Sequence, residues 1–153
     1  LLYPTLTDTQ QATKGKEIRA KFLDAIPGLE PLIEAVKGKV RSAGMLRGLD
    51  GRPIFCTAEH AALNYLLQGA GAVFSKRWVV ISYDDLCSKY EYGKDFSFCA
   101  YVHDEIQISA RPEIAENIKQ IVEAAAIKAG EFYGSRVPIT ATGEIGNNWQ
   151  ETH

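Results

Sequence analysis

Apolar positions change period along this chain, and each change marks an element. Ala12, Ile18, Phe22 and Ile26 fall near one helical face, which predicts a helix over Gln10–Ala25 stopped by Pro27-Gly28. Leu32, Ile33, Val36 and Val40 keep helical register through Leu29–Ser42, and Gly44 supplies the stop. Met45–Cys56 then alternates about Asp50-Gly51, a pair that favours a two-residue hairpin turn. A long helix is predicted from Thr57 or Ala58 to about Tyr90, with Gly69 and Gly71 as the place for a bend. Phe96–Val102 and Ile106–Ala110 read as strands flanking the polar triplet His103-Asp104-Glu105. Pro112–Gly130 puts Ile114, Ile118, Ile121, Val122 and Ala125 on one helical stripe, and Val137–Ile145 reads as a closing strand. Helices, a hairpin, a further helix and a last strand imply an α+β fold, with helices over one face of an antiparallel sheet.

Two departures from this pattern carry candidate chemistry. The long helix is apolar on most sides (Ala61, Ala62, Leu63, Leu66, Leu67, Ala70, Val73, Phe74), which predicts that it is largely buried. His60, Asn64 and Gln68 nevertheless recur at i, i+4 and i+8 and line one of its faces. Amides in such a row either form a solvent edge or read the minor-groove N3 and O2 acceptors that every base pair presents. The second departure is Val102-His103-Asp104-Glu105-Ile106, where acids interrupt an apolar pattern. Neighbours in an extended segment point to opposite faces, so Asp104 and Glu105 do not chelate one ion together. The acids are either ordinary turn residues or part of a metal site that draws another carboxylate from elsewhere.

Composition narrows the class. With 153 residues, 46% hydrophobic and 24% charged, the chain has the make-up of one ordinary globular domain, not of a disordered or fibrous segment. Its apolar runs are too short to span a bilayer, and no basic-then-apolar leader opens it. Cys56, Cys87 and Cys99 are odd in number and lack C-x-x-C spacing, pointing to a reduced compartment without a zinc site. The first residue is Leu1 rather than Met, from which an upstream continuation is expected. Net charge is −2, yet residues 1–80 carry eleven Lys and Arg against seven acids, a balance of +4. Residues 81–153 carry six basic groups against twelve acids, a balance of −6. Such a split either suits a protein holding a polyanion on one side and cations on the other, or reflects chance on solvated helices.

Taken in series, four blocks resemble DNA polymerases of family A, the group containing bacterial DNA polymerase I and phage replicative enzymes. Val102-His103-Asp104-Glu105 resembles the family's third motif, and Glu59-His60-Ala61-Ala62-Leu63-Asn64 with Leu67-Gln68-Gly69 resembles its palm helix. Gly48-Leu49-Asp50-Gly51-Arg52 resembles the hairpin before that helix, and Gly146-Asn147-Asn148-Trp149 running to His153 resembles the family's C-terminus. The short Pro53–Ala58 segment, and His60 where bacterial enzymes carry arginine, favour the phage branch.

The resemblance implies roles by position. Asp104 is one of two carboxylates holding two catalytic Mg²⁺ ions, which activate the primer 3′-hydroxyl and stabilise the leaving pyrophosphate. Glu105 is an auxiliary acid, His103 contacts the primer terminus, and Asn64 and Gln68, with His60 on the same stripe, face the minor groove of primer-template DNA. Arg52 binds backbone phosphate. The second aspartate and the fingers helix that binds the incoming dNTP belong upstream in this family, and neither occurs in this sequence. Residues 1–44 then read as a helical segment at the fingers/palm junction and 45–153 as the C-terminal palm portion: a palm-like antiparallel sheet with its catalytic hairpin, packed against long helices. The chain is accordingly expected to be an incomplete polymerase, inactive alone and cytoplasmic (in the host cytoplasm if phage-encoded), with a processivity factor as a further partner. A non-catalytic DNA-binding or assembly module of the same fold is the alternative.

Overall fold

Capping chemistry sets the first boundaries in the computed structural model, which describes residues 7–152. Leu1 and His153, both singled out in the sequence, lie outside the described residues. Thr7 and Gln10 form a reciprocal capping box, so α1 spans Asp8–Asp24 and starts two residues before the helix that the apolar period predicts. Helix α2 (Leu29–Ala43) ends where Gly44 adopts φ 67° and its N–H reaches the Val40 carbonyl at 2.7 Å. Two short strands follow, β1 (Met45–Arg47) and β2 (Pro53–Phe55), then a 3₁₀ turn over Glu59–Ala61 and the uninterrupted helix α3 (Ala62–Cys87). Strands β3 (Phe96–Val102) and β4 (Glu105–Ala110) lead into α4 (Ala115–Phe132), which Pro112–Ile114 opens as a 3₁₀ turn. The order of helices and antiparallel hairpins is α+β, as the periodicity implies.

The chain divides into two compact units. One reaches to Leu46 and adds Phe55–Asn64; the other comprises Arg47–Ile54 and the chain from Tyr65 onward. In the first, Val36 and Val40 of α2 are buried, as are Leu46 and Ala62. Arg41 links α2 to the 3₁₀ turn through Glu59 (2.8 Å) and also meets Glu34 (3.4 Å). Helix α1 buries none of its residues, and the stripe Ile18, Phe22 and Ile26 stands exposed.

The second unit holds the larger core. Leu86 of α3, Phe96 of β3 and Ile118 of α4 are buried together, with Phe98, Ile108, Ile121 and Val122 packed around them. Strand alternation delivers Phe96 and Phe98 to the face shared with Ile108 and Ala110, and the stripe expected on α4 meets that face. The Trp78 indole Nε1 donates to the Val122 carbonyl at 2.7 Å, fixing α3 against α4.

Four expectations change. Helix α3 is not largely buried: among its residues only Ala62, Val73, Ser82 and Leu86 are, and Leu67 is 60% exposed. The turn at Asp50-Gly51 uses three loop residues. Gly51 N–H bonds the Gly48 carbonyl and Gly48 N–H bonds the Arg52 carbonyl, while Gly51 takes φ 84°, a turn closed by a glycine bulge. Helix α4 runs past Gly130, because that glycine is a packing site and not a stop. A Cβ on it would lie 2.9 Å from Ile139 Cγ1. The stop comes at Gly134 (φ 65°), where Gly134 and Ser135 N–H groups cap the carbonyls of Glu131 and Gly130. Finally, Val137–Ile145 is not a strand. It lies along α4, with Ile139 against Gly130 and the Gly143 N–H bonded to Glu123 Oε1 at 2.8 Å, and among the described residues no strand offers it a ladder.

Candidate nucleic-acid and metal interface

The β3–β4 hairpin presents its acids through register. Val102 pairs with Glu105, so the loop is His103-Asp104 alone and Glu105 already belongs to β4. Closing two strands with two residues demands a positive φ, and His103 supplies it at 56°, the one such non-glycine among the described residues. Both loop residues are exposed. A bulge at Cys99 shifts the register between Phe98 and Ala100, so beyond it Ala100 and Val102 lie on the outer face, opposite Gln107 and Glu105. The Gln107 side-chain amide donates to the Glu105 carboxylate on that face. Sequence reasoning passed over Gln107. Its signal was a polar residue two places beyond Glu105 between Ile106 and Ile108.

The base of this hairpin is also tied. The Asp95 carboxylate accepts from the Glu91 N–H at 3.0 Å and from Arg111 at 3.3 Å. The Glu91 N–H does most to hold this carboxyl below its ordinary value; desolvation opposes it, and Arg111 adds to the lowering.

The β1–β2 tip sits on α3 where no side chain intervenes. Ile54 Cδ1 lies 3.2 Å from where a Cβ on Gly69 would be, which explains a glycine inside the helix. Gln68, the neighbour of Gly69, is exposed. Arg52 at this tip is exposed and engages Asp50 through both its side chain and its N–H. Desolvation would raise the Asp50 carboxyl, but the Arg52 contacts prevail and hold it below its usual range.

In the other unit, His60 falls in the 3₁₀ turn ahead of α3, so the α-helical spacing holds for Asn64 and Gln68 but not for His60. His60 and Asn64 are exposed.

Among the described residues, no three His, Cys, Asp or Glu side chains stand close enough to hold a metal ion together. Asp104 offers one free-standing carboxylate at the loop, while Glu105 is engaged along the strand. This donor set fits one ligand of a magnesium site and does not complete one. Also among these residues, no helix is long and apolar enough to cross a membrane.

The helices packed on an antiparallel hairpin with an acidic two-residue tip define a palm-like α+β protein. The sequence model of DNA polymerase family A matches residues 6–151, and the chain belongs to that family. It is 32% identical over 158 residues to the DNA-directed DNA polymerases of Enterobacteria phage T3 and Escherichia phage T7, over 92% of this chain in each case. The chain spans 22% of the length of those two relatives. Both are phage enzymes, the branch to which Pro53–Ala58 and His60 pointed. A solved structure described as the POL domain of Pol1 from M. smegmatis, in complex with DNA primer-template and dNTP, shares the fold. Its TM-score is 0.79 at 20% identity, over 94% of this chain and 27% of that one.

Proposed function

We propose that this chain is the C-terminal palm portion of a template-directed DNA polymerase, with residues 1–44 as a helical segment at the fingers/palm junction. The observation that carries the reading is the exposed Asp104 carboxylate at the tip of a family A hairpin. Asp104 supplies one carboxylate toward the two Mg²⁺ ions of the complete site, and its companion comes from the remaining polymerase domains. His103, held beside it by the tight loop, meets the primer terminus. Asn64 and Gln68, both exposed, donate to minor-groove acceptors without preference for sequence, and His60 contacts the duplex. Arg52 exchanges Asp50 for a backbone phosphate when DNA is bound. Primer-template DNA and dNTP are the ligands, and the cytoplasm is the place of action, that of the host if the chain is phage-encoded.

The test joins the chain to the remaining domains of a family A polymerase. The chain alone does not extend primers, because it presents one loop carboxylate and not a pair. The joined protein incorporates nucleotides, and Asp104→Asn reduces incorporation to background without changing the melting temperature. Robust extension by the isolated chain, or activity retained by Asp104→Asn, would remove Asp104 from the proposed role. DNA binding without incorporation by the joined protein would favour a non-catalytic module.

A further inference from the structure

Gln107 lies outside every motif the resemblance uses, yet its side chain meets one of the acids that the resemblance makes functional. Ile108 and Ala110 face the core, so alternation places Glu105 and Gln107 together on the outer face of β4. Residues two apart in a strand are separated by roughly 7 Å, a gap that a glutamate and a glutamine side chain close between them. Gln107 Nε2 donates to Glu105 Oε1. The bulge at Cys99 sets the residues across from this pair: Ala100 opposite Gln107 and Val102 opposite Glu105. A hydrogen bond to a charged group is stronger than one between neutral groups.

We propose that Gln107 is a positioning residue. It holds the Glu105 carboxylate along the outer face of the hairpin and leaves Asp104 as the sole carboxylate presented at the loop. Glu105 therefore acts from the side of the strand, and the geometry of the acidic tip depends on an amide two residues away. Its consequence for nucleotide incorporation rests on the polymerase reading; the contact itself does not.

Two measurements test it. In the full chain, the Gln107 side-chain amide resonances shift in Glu105→Ala and stay in place in Asp104→Ala. Resonances indifferent to Glu105→Ala, or moved equally by both variants, would overturn the proposal. In the joined polymerase, Gln107→Leu lowers kcat about tenfold, the scale of one charge-assisted hydrogen bond, with KM for dNTP unchanged. Gln107→Lys keeps a donor of similar reach and restores most of the rate. In a Glu105→Ala background, Gln107→Leu costs nothing further; a full tenfold loss there shows that Gln107 does not act through Glu105. If the unsubstituted joined protein incorporates no nucleotide, the polymerase reading falls and the amide resonances still decide the contact.

Discussion

Val102 pairs directly with Glu105 across the β3–β4 hairpin, which leaves His103 and Asp104 as the whole of the loop. That pairing forces His103 to φ 56°, a conformation that glycine adopts freely and a β-branched residue resists. His103→Val is expected to destabilise the chain by about 1–3 kcal/mol, and His103→Gly to unfold within about 1 kcal/mol of the parent. Urea or thermal unfolding of both variants checks this, and equal losses would show that backbone strain is not the cause.

Gly130 offers a contest between two known terms. Alanine in a helix interior is favoured over glycine by about 1 kcal/mol. Here the new Cβ would stand 2.9 Å from Ile139 Cγ1 and 3.1 Å from its Cβ, which lies too near the backbone to swing aside. Overpacking of that kind costs roughly 1–3 kcal/mol, so Gly130→Ala is expected to lower stability on balance. Adding Ile139→Ala removes the Cγ1 contact and leaves only the 3.1 Å approach of the Cβ, so the double variant should lose less than the two single losses together.

Ser82 on α3 is fully buried and its hydroxyl has no hydrogen-bond partner among the described residues. A stranded buried hydroxyl is costly, and alanine fills nearly the same space. Ser82→Ala should therefore raise stability by about 1 kcal/mol, read as a higher denaturant midpoint at unchanged m-value. A lower midpoint would mean that the hydroxyl finds a partner in solution.

Asp95 gives a dependence on pH with a definite sign. Its carboxyl sits below the ordinary value of 3.8 because the folded chain offers it the Glu91 N–H and Arg111. A depressed carboxylate contributes stability that is complete above the unfolded pKa and is lost as pH falls through the lower folded one. Asp95→Asn should thus cost stability near neutrality and flatten the loss below about pH 4. Melting temperatures of both proteins at pH 6, 4 and 3 measure it, and parallel curves would refute the assignment.

Much of this architecture was legible from local signals. Helix α2 and its Gly44 stop, the two hairpins, and the α4 stripe follow from periodicity and turn chemistry, which act over a few residues. The family motifs were likewise visible as four ordered blocks, because their residue types and spacings are written in the chain itself. Three-dimensional packing decided the rest. The stripe alone carries the helix only to Gly130, and the reason for a glycine there is Ile139, nine residues on, laid against it. Val137–Ile145 has a strand's composition, but a strand needs a ladder partner, and α4 occupies this segment instead. Neither the bulge at Cys99 nor the exact length of the acidic loop has a local signature. Both follow from which residue faces which across the hairpin, and that register turns Glu105 toward Gln107. The sequence by itself determined which acids, amides and glycines this protein has and in what order. Only the tertiary structure decided which of them share a face, because that depends on contacts between residues the chain order keeps apart.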